Sequence, residues 1–192
     1  MKTLFFSILI LFNSSIILNA QNLSKAYFAG GCFWCMEESF EKLEGVAEVI
    51  SGYSGGTTTN PSYEEVTYGN TGHFETIEVV YDSSIISYKK LLDSFWININ
   101  PFDEYGQFCD KGYSYRSVAF YQNQKQKKMI ENSINKIDKK FQKKVVTYVR
   151  EFYEFYKAED KHQNYYQEYF LNYLRYKKAC RREKILNSIW NF

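Results

Sequence analysis

One stretch, Ala29-Gly30-Gly31-Cys32-Phe33-Trp34-Cys35-Met36-Glu37, constrains what the rest of the chain can become. The apolar run before it, Ala26-Tyr27-Phe28-Ala29, reads as a strand and leads straight into two glycines, a tight-turn signal. Beyond the turn Phe33, Met36, Phe40 and Leu43 recur at three- and four-residue steps, the spacing of one helix face. Cys32 therefore falls where strand meets helix. There the unpaired N–H groups and the positive dipole end are expected to stabilise a thiolate and depress the thiol pKa. Phe33 and Trp34 are costly residues to leave on a surface, so they read as the wall of a small apolar pocket at the sulfur. Cys32 is thus expected to be a nucleophile.

Residues 1–20 are a separate matter. Lys2 precedes Leu4-Phe5-Phe6, then Ile8 to Phe12 and Ile16-Ile17-Leu18, ending at Asn19-Ala20. An early positive charge, a short apolar stretch broken by Asn13-Ser14-Ser15 and a small final residue predict a secretory signal peptide rather than a membrane span. Residues 21–192 then form a single catalytic domain, long enough for a real core, with a helical C-terminal tail. Four cysteines in an exported chain would ordinarily be two structural disulfides. Cys32 and Cys35 lie three apart, however, and so short a loop gains little closure entropy. That spacing suits redox or metal chemistry, whereas Cys109 and Cys180 can be a passive pair.

Along the chain, Gly45 to Tyr53 reads as a second strand, followed by a loop with Gly55-Gly56 and Asn60-Pro61. Pro61 opens a short helix through Val66. His73 to Asp82 alternates, with Ile77, Val79 and Tyr81 on one face, and is a strand. Ser87 caps a helix through Asn98, and Ser117 to Tyr121 is a further strand. Asn123 to Phe141 carries Ile130, Ile134, Ile137 and Phe141 on one helical stripe. Eight lysines against two acids between Lys125 and Lys144 make its other face basic. With a net charge of only +2, and no arginine or aromatic interleaving, that face reads as solvated and no nucleic-acid partner is expected. Val145 to Arg150 is expected to be a strand, Ala158 to Tyr176 one helix and Arg181 to Phe192 a short amphipathic helix. The order predicts an α+β fold with a ferredoxin-like split βαβ core and a mixed or antiparallel sheet.

A thiolate nucleophile that removes oxygen needs an acid. Glu75 sits beside Gly72-His73-Phe74 at a strand entrance, flanked by apolar residues; desolvation there would raise its pKa and keep it a proton donor near neutrality. Asp110 precedes a turn at Lys111-Gly112, and His73 and His162 read as structural.

Several collinear stretches together resemble the A-type peptide methionine sulfoxide reductases, from Lys25 to about Arg182. They are Gly30 to Trp34, Ser51-Gly52-Tyr53-Ser54-Gly55-Gly56, Asn60-Pro61-Ser62-Tyr63-Glu64-Glu65-Val66, Thr71-Gly72-His73-Phe74-Glu75 and Tyr81-Asp82, then Gly106-Gln107-Phe108, Asp110 to Ser117 and Ala158 to Gln163. The resemblance implies that Cys32 attacks the sulfur of a methionine S-sulfoxide, free or in an oxidised protein or peptide. Glu75 would protonate the oxygen while Tyr63 and Tyr115 donate hydrogen bonds to it. Phe33 and Trp34 would hold the terminal methyl, and Asp110 would orient substrate or tyrosines. Cys32 would become a sulfenic acid, with neither cofactor nor metal involved.

For the return to thiol, many relatives use a cysteine in a glycine-rich C-terminal arm. Here the last glycine is Gly112 and the tail, Lys177 to Arg182, is stiff and charged. Cys35, one helical turn from Cys32, is the favoured resolving residue, with Cys180 second and Cys109 also a candidate. The resulting disulfide would need a thioredoxin-like reductant. A monomer is expected; if the leader is cleaved the enzyme is exported, without stable membrane association and dependent on thiols delivered across the membrane, and otherwise it is cytoplasmic. Three rivals stand beside this reading, one of them a non-catalytic secreted domain with two disulfides, which predicts no free reactive thiol after mild reduction. A thioredoxin-type oxidoreductase needs a proline facing the active disulfide, which neither Pro61 nor Pro101 offers. A zinc-stabilised module needs a second close cysteine pair, which is missing.

Overall fold

The computed structural model describes residues 22–191, so the leader expected over residues 1–20 lies outside the described residues. The chain runs β1 (Leu23–Gly30), α1 (Phe33–Glu41), β2 (Val46–Ser54), α2 (Tyr63–Tyr68), β3 (Phe74–Asp82) and α3 (Tyr88–Ile97). A two-strand hairpin follows, β4 (Gly106–Gln107) and β5 (Asp110–Lys111), then a 3-10 turn Tyr113–Tyr115 and β6 (Ser117–Tyr121). The remainder is α4 (Gln124–Phe141), β7 (Tyr148–Glu151), β8 (Phe155–Lys157), a 3-10 turn Asp160–His162, α5 (Tyr165–Glu168), α6 (Phe170–Ala179) and α7 (Arg182–Trp190).

The main sheet has the order β7-β6-β1-β3-β2-β8. β3 lies antiparallel between β1 and β2, and β1 antiparallel between β3 and β6. Each βαβ unit is thus split by the other's strand, the ferredoxin-like arrangement expected from the element order. β7 extends the sheet parallel to β6, and β8 extends it antiparallel to β2. The central strands are apolar on both faces because both are covered. Ala26 and Phe28 of β1 pack with Met36, Phe40, Ile77, Leu91 and Phe95 under the helices. Tyr27 and Ala29 face the other way, toward Phe74, Val118 and Phe120. There the chain between β7 and β8 closes the layer, with Phe152 stacked on Tyr27 at 3.6 Å.

Three local expectations need correction. α2 is opened by Ser62 and not by Pro61: its hydroxyl accepts from the Glu65 N–H while the Glu65 carboxylate accepts from the Ser62 N–H, a capping box. The strand expected from Val145 begins only at Tyr148, because Val145 is held by the Asp138 carboxylate at the end of α4. The single helix expected over Ala158 to Tyr176 is instead a 3-10 turn and two separate helices, beginning just after β8 ends at Lys157. The interruption has a physical cause. The Gln163 side-chain amide donates to Ser51 O at 2.9 Å and accepts from Ser51 N–H at 3.0 Å, pairing with β2 like a short strand. Asn164 follows at φ 51°, its N–H given to the Glu37 carboxylate at 2.9 Å.

Glu37 is fully buried on α1, and burial pushes its carboxyl from the ordinary 4.5 up to about 7, against the Asn164 N–H and Ser51 hydroxyl that favour its charged form. Folding therefore favours its neutral state. That contribution is whole below the unfolded value and is lost as pH rises through about 7. Glu37→Gln is expected to change stability little near pH 4. By pH 8 it should stabilise the chain by up to about 3 kcal/mol relative to the native one. Urea midpoints at the two pH values measure this; an equal difference at both would show that ionisation of Glu37 is not what costs stability.

Candidate active site

The site is assembled where β1 gives way to α1. Gly31 turns the chain at φ 77°, and a Cβ there would stand 2.5 Å from the Cβ of Gln107. Gln107 is itself fixed by two hydrogen bonds to the backbone of Asn100, 2.8 and 2.9 Å long. The tight turn leaves Cys32 as the residue capping α1, at φ −51° and ψ 115°. On β3, Glu75 lies in register with Ile77, Val79 and Tyr81, the face covered by helices, and it is 2% exposed. The first N–H of α1, on Phe33, donates to the Glu75 carboxyl at 3.1 Å. The pairing of Gly30 with Ser117 sets the Tyr113–Tyr115 turn beside the glycines, and α2 contributes Tyr63.

These elements enclose a cavity of about 80 Å3, the room of two or three water molecules. Cys32, Phe33, Trp34, Tyr63, Glu75, Asp110 and Tyr115, all singled out in the sequence, line it together. An eighth residue, Tyr176 of α6, also lines it and donates its hydroxyl to the Asp110 carboxylate. Nothing in the sequence separates Tyr176 from the other tyrosines; only the return of α6 to the site does. Cys35 is buried behind the cavity, packed with Cys32 and Tyr173. Cys109 and Cys180 form a disulfide, so the second pair is joined in this structure while Cys32 and Cys35 are free thiols.

The electrostatics correct one expectation. Cys32 was to have a depressed pKa from the helix end; instead burial pushes its thiol up, reinforced by the hydrogen bond to Cys35 and by the Glu75 and Asp110 carboxyls. The first N–H of α1, on Phe33, is meanwhile given to Glu75. Cys35 is the ionised partner, brought down to about 6 by the hydrogen bond from Cys32, the Arg182 guanidinium and the Tyr173 hydroxyl, against its own burial. The two sulfurs therefore titrate as a pair holding one proton between them. Glu75 behaves as expected: burial pushes it well above the carboxylate range, Asp110 and Cys35 add to this, and the Phe33 N–H and Tyr115 hydroxyl oppose it. Burial also raises Tyr63, Tyr115 and Asp110, so the phenols keep their protons.

The aromatic wall is deeper than the sequence suggested. Trp34 stacks on Tyr165 at 3.7 Å, and the ring of His162, read as structural, lies tilted with its centroid 4.4 Å from that of Tyr63 and 5.3 Å from that of Phe33. Burial lowers the His162 pKa, and neither ring nitrogen has a hydrogen-bond partner among the described residues. It serves as an uncharged plate behind the tyrosine. His73, by contrast, is fully engaged, with Gly56 N–H at 3.2 Å and Thr58 O at 2.8 Å, away from the cavity.

A small apolar-walled cavity with phenol donors, a protonated carboxyl and a thiol pair is suited to taking an oxygen from a small, weakly basic group. Comparison with known proteins agrees. Residues 24–191 match the family model described as peptide methionine sulfoxide reductase. A peptide methionine sulfoxide reductase of Listeria monocytogenes is 42% identical over 175 residues, 90% of this chain and 99% of that one. Among solved structures, Mxr1 of Saccharomyces cerevisiae in its reduced form superposes with a TM-score of 0.72 at 26% identity, over 78% of this chain and 87% of that one. Methionine sulfoxide reductase A of Corynebacterium diphtheriae gives 0.70 at 28% identity, over 78% of this chain and 76% of its own. By its sequence, its fold and the composition of its cavity, the chain belongs to the peptide methionine sulfoxide reductase family, whose members are thiol-dependent oxidoreductases.

Proposed function

We propose that this chain reduces the S epimer of methionine sulfoxide, free or in oxidised proteins, with Cys32 as nucleophile and Cys35 as resolving residue. The observation that carries the reading is the meeting of a buried, protonated Glu75 with Cys32 in one cavity walled by Phe33 and Trp34. The methyl group lies against those two rings, and the oxygen faces Tyr63, Tyr115 and Glu75. As the Cys32 sulfur attacks, its proton passes to the Cys35 thiolate and the Glu75 proton goes to the oxygen. Methionine leaves and Cys32 carries the hydroxyl as a sulfenic acid. Donors aimed at the oxygen stabilise the charge that develops there. The Cys35 sulfur then displaces that hydroxyl, which leaves as water with the Cys35 proton, and a Cys32–Cys35 disulfide remains. Asp110, held by Tyr176, keeps the phenols oriented.

The reductant is a thioredoxin-type dithiol protein; the solved complex of yeast Mxr1 with Trx2 supports this choice. The chain acts as a monomer, and the apolar character of residues 4–18 supports export to an extracytoplasmic compartment, with the catalytic domain free of the membrane after leader removal.

Single-turnover reduction of the resolved S and R sulfoxides of a blocked methionine tests the reading. The native enzyme is expected to consume the S epimer and leave the R epimer, and Cys32→Ser to consume neither. Equal consumption by Cys32→Ser would remove the nucleophile, and equal consumption of both epimers would remove the stereochemical assignment.

A further inference from the structure

The cavity at Cys32 admits little more than the end of one side chain, because its volume of about 80 Å3 is that of two or three water molecules. When the oxidised methionine belongs to a polypeptide, the residues on either side of it must therefore lie on the surface around the mouth. Trp34, a wall of the cavity, stacks on Tyr165 of α5 at 3.7 Å, and Tyr165 stacks in turn on Tyr169 at 4.8 Å. Tyr169 is 48% exposed, and it is followed on α6 by Phe170, Leu171 and Leu174, which are 56%, 68% and 42% exposed. Elsewhere in the described sequence such side chains stand singly, as at Leu23, Tyr68 and Tyr153. Grouped apolar exposure marks a contact surface, where scattered exposure does not.

Leu174 also lines a crevice of about 530 Å3 between α6 and α7, with Lys177, Lys178, Arg181 and Lys184 around it. Lys177 is held by the carboxylates of Glu38 at 3.0 Å and Glu183 at 3.4 Å. Lys178, Arg181 and Lys184 have no carboxylate partner among the described residues. An apolar strip that begins at the catalytic cavity thus runs into a basic crevice whose charge is not neutralised.

We propose that this face of α6 and the crevice beside it bind the polypeptide that carries the oxidised methionine, selecting unfolded segments with apolar residues near the methionine and carboxylates farther on. The inference rests on the proposed reduction at Cys32. The two stacking steps are the reach of two or three residues of extended chain, at about 3.3 Å each, so the apolar contact falls at that remove from the methionine. Tyr169 to Lys178 is roughly 13 Å along the helix, which puts the acidic contact about four residues beyond. An anionic membrane would also suit apolar groups beside cations. The rings stacked in sequence from Trp34 favour instead a ligand whose oxidised side chain is held in the cavity at the same time.

Single turnovers by the fully reduced protein test this without a protein reductant. Two peptides of equal length carry a central methionine S-sulfoxide; one is flanked on both sides by leucines and then aspartates, the other by serines and then lysines. Blocked methionine S-sulfoxide is the reference. The native protein is expected to reduce the first peptide with a second-order rate constant about tenfold or more above the second. The double variant Leu171→Ser, Leu174→Ser should lose about tenfold on the first peptide and keep the native rate on the blocked amino acid. Lys178→Glu with Lys184→Glu should lose several-fold on the first peptide, a loss that shrinks as salt is raised. Native rates on the first peptide from both variants, or an equal loss on the blocked amino acid, overturn the surface and leave the proposed function standing. A defect confined to steady-state turnover with a thioredoxin-type protein does the same, by making the face the reductant's. A defect confined to sedimentation with phosphatidylglycerol vesicles does so by making it a membrane contact. A native protein that reduces none of the three substrates overturns the proposed function and the surface with it.

Discussion

Glu75→Gln is expected to slow the single-turnover reduction of blocked methionine S-sulfoxide by about 10^2- to 10^4-fold, the usual loss when a general acid is removed. The side chain keeps its size, and its amide oxygen still accepts the Phe33 N–H, so α1 and the cavity wall remain in register. What is lost is a proton that can be handed to the departing oxygen. The carboxyl can hold that proton near neutrality because it continues the covered face of β3, where burial penalises its charge. The pH profile carries the sign. Activity should rise as Cys35 ionises near pH 6, leaving one proton shared by the pair, and fall at higher pH as Glu75 ionises. The variant should keep the rising limb and lack the falling one. A variant within a few-fold of the native rate, or one retaining the falling limb, would mean another group supplies the proton.

Gly31→Ala is expected to lose about 2–4 kcal/mol, from a left-handed backbone that alanine adopts poorly and from overpacking against Gln107. For a chain of this size that lowers the midpoint of thermal unfolding by roughly 5–15 °C. The new methyl would stand 2.5 Å from the Gln107 Cβ. Gln107 cannot yield freely, because both ends of its amide are bonded to Asn100. Any shift passes along β4 to the β5 residue Asp110 at the cavity wall, so the rate should fall along with the melting temperature. Gly52→Ala, on β2, would clash elsewhere, at Tyr156 O on β8, and serves as a control that destabilises without moving β4. A Gly31→Ala protein that melts within 2 °C of the native one, an interval worth about 1 kcal/mol or less, would show that the turn can relax.

Most of the frame was legible because it depends on local signals. Period-two and period-3.6 patterns marked β3, α3 and α4, and the serine and asparagine before the two helices are the caps in the structure, where Ser87 and Asn123 accept from the Lys90 and Gln126 N–H groups. Element order alone implied the split βαβ core. The C-terminal third was misread because its breaks are long-range. Gln163 leaves the helical path to pair with Ser51, 112 residues away, and no window around Gln163 contains that partner. Tyr176 joined the site for the same reason.

The residue types at the site were thus set by the sequence: a cysteine after two glycines, a carboxylate on an apolar strand face, two aromatic rings beside the sulfur. Which sulfur carries the charge, and which cysteines are bonded, was decided only in three dimensions. Ionisation depends on burial and on the few groups within a few ångströms. Here the helix-end N–H went to Glu75 and burial pushed the Cys32 thiol up, while the hydrogen bond from Cys32, with Arg182 and Tyr173 from the returning C-terminal helices, brought Cys35 down. A pattern of spacing records neither burial nor such partners, because the groups that set both come from segments distant in the chain, Glu75 on β3 as well as Arg182 and Tyr173 near its end.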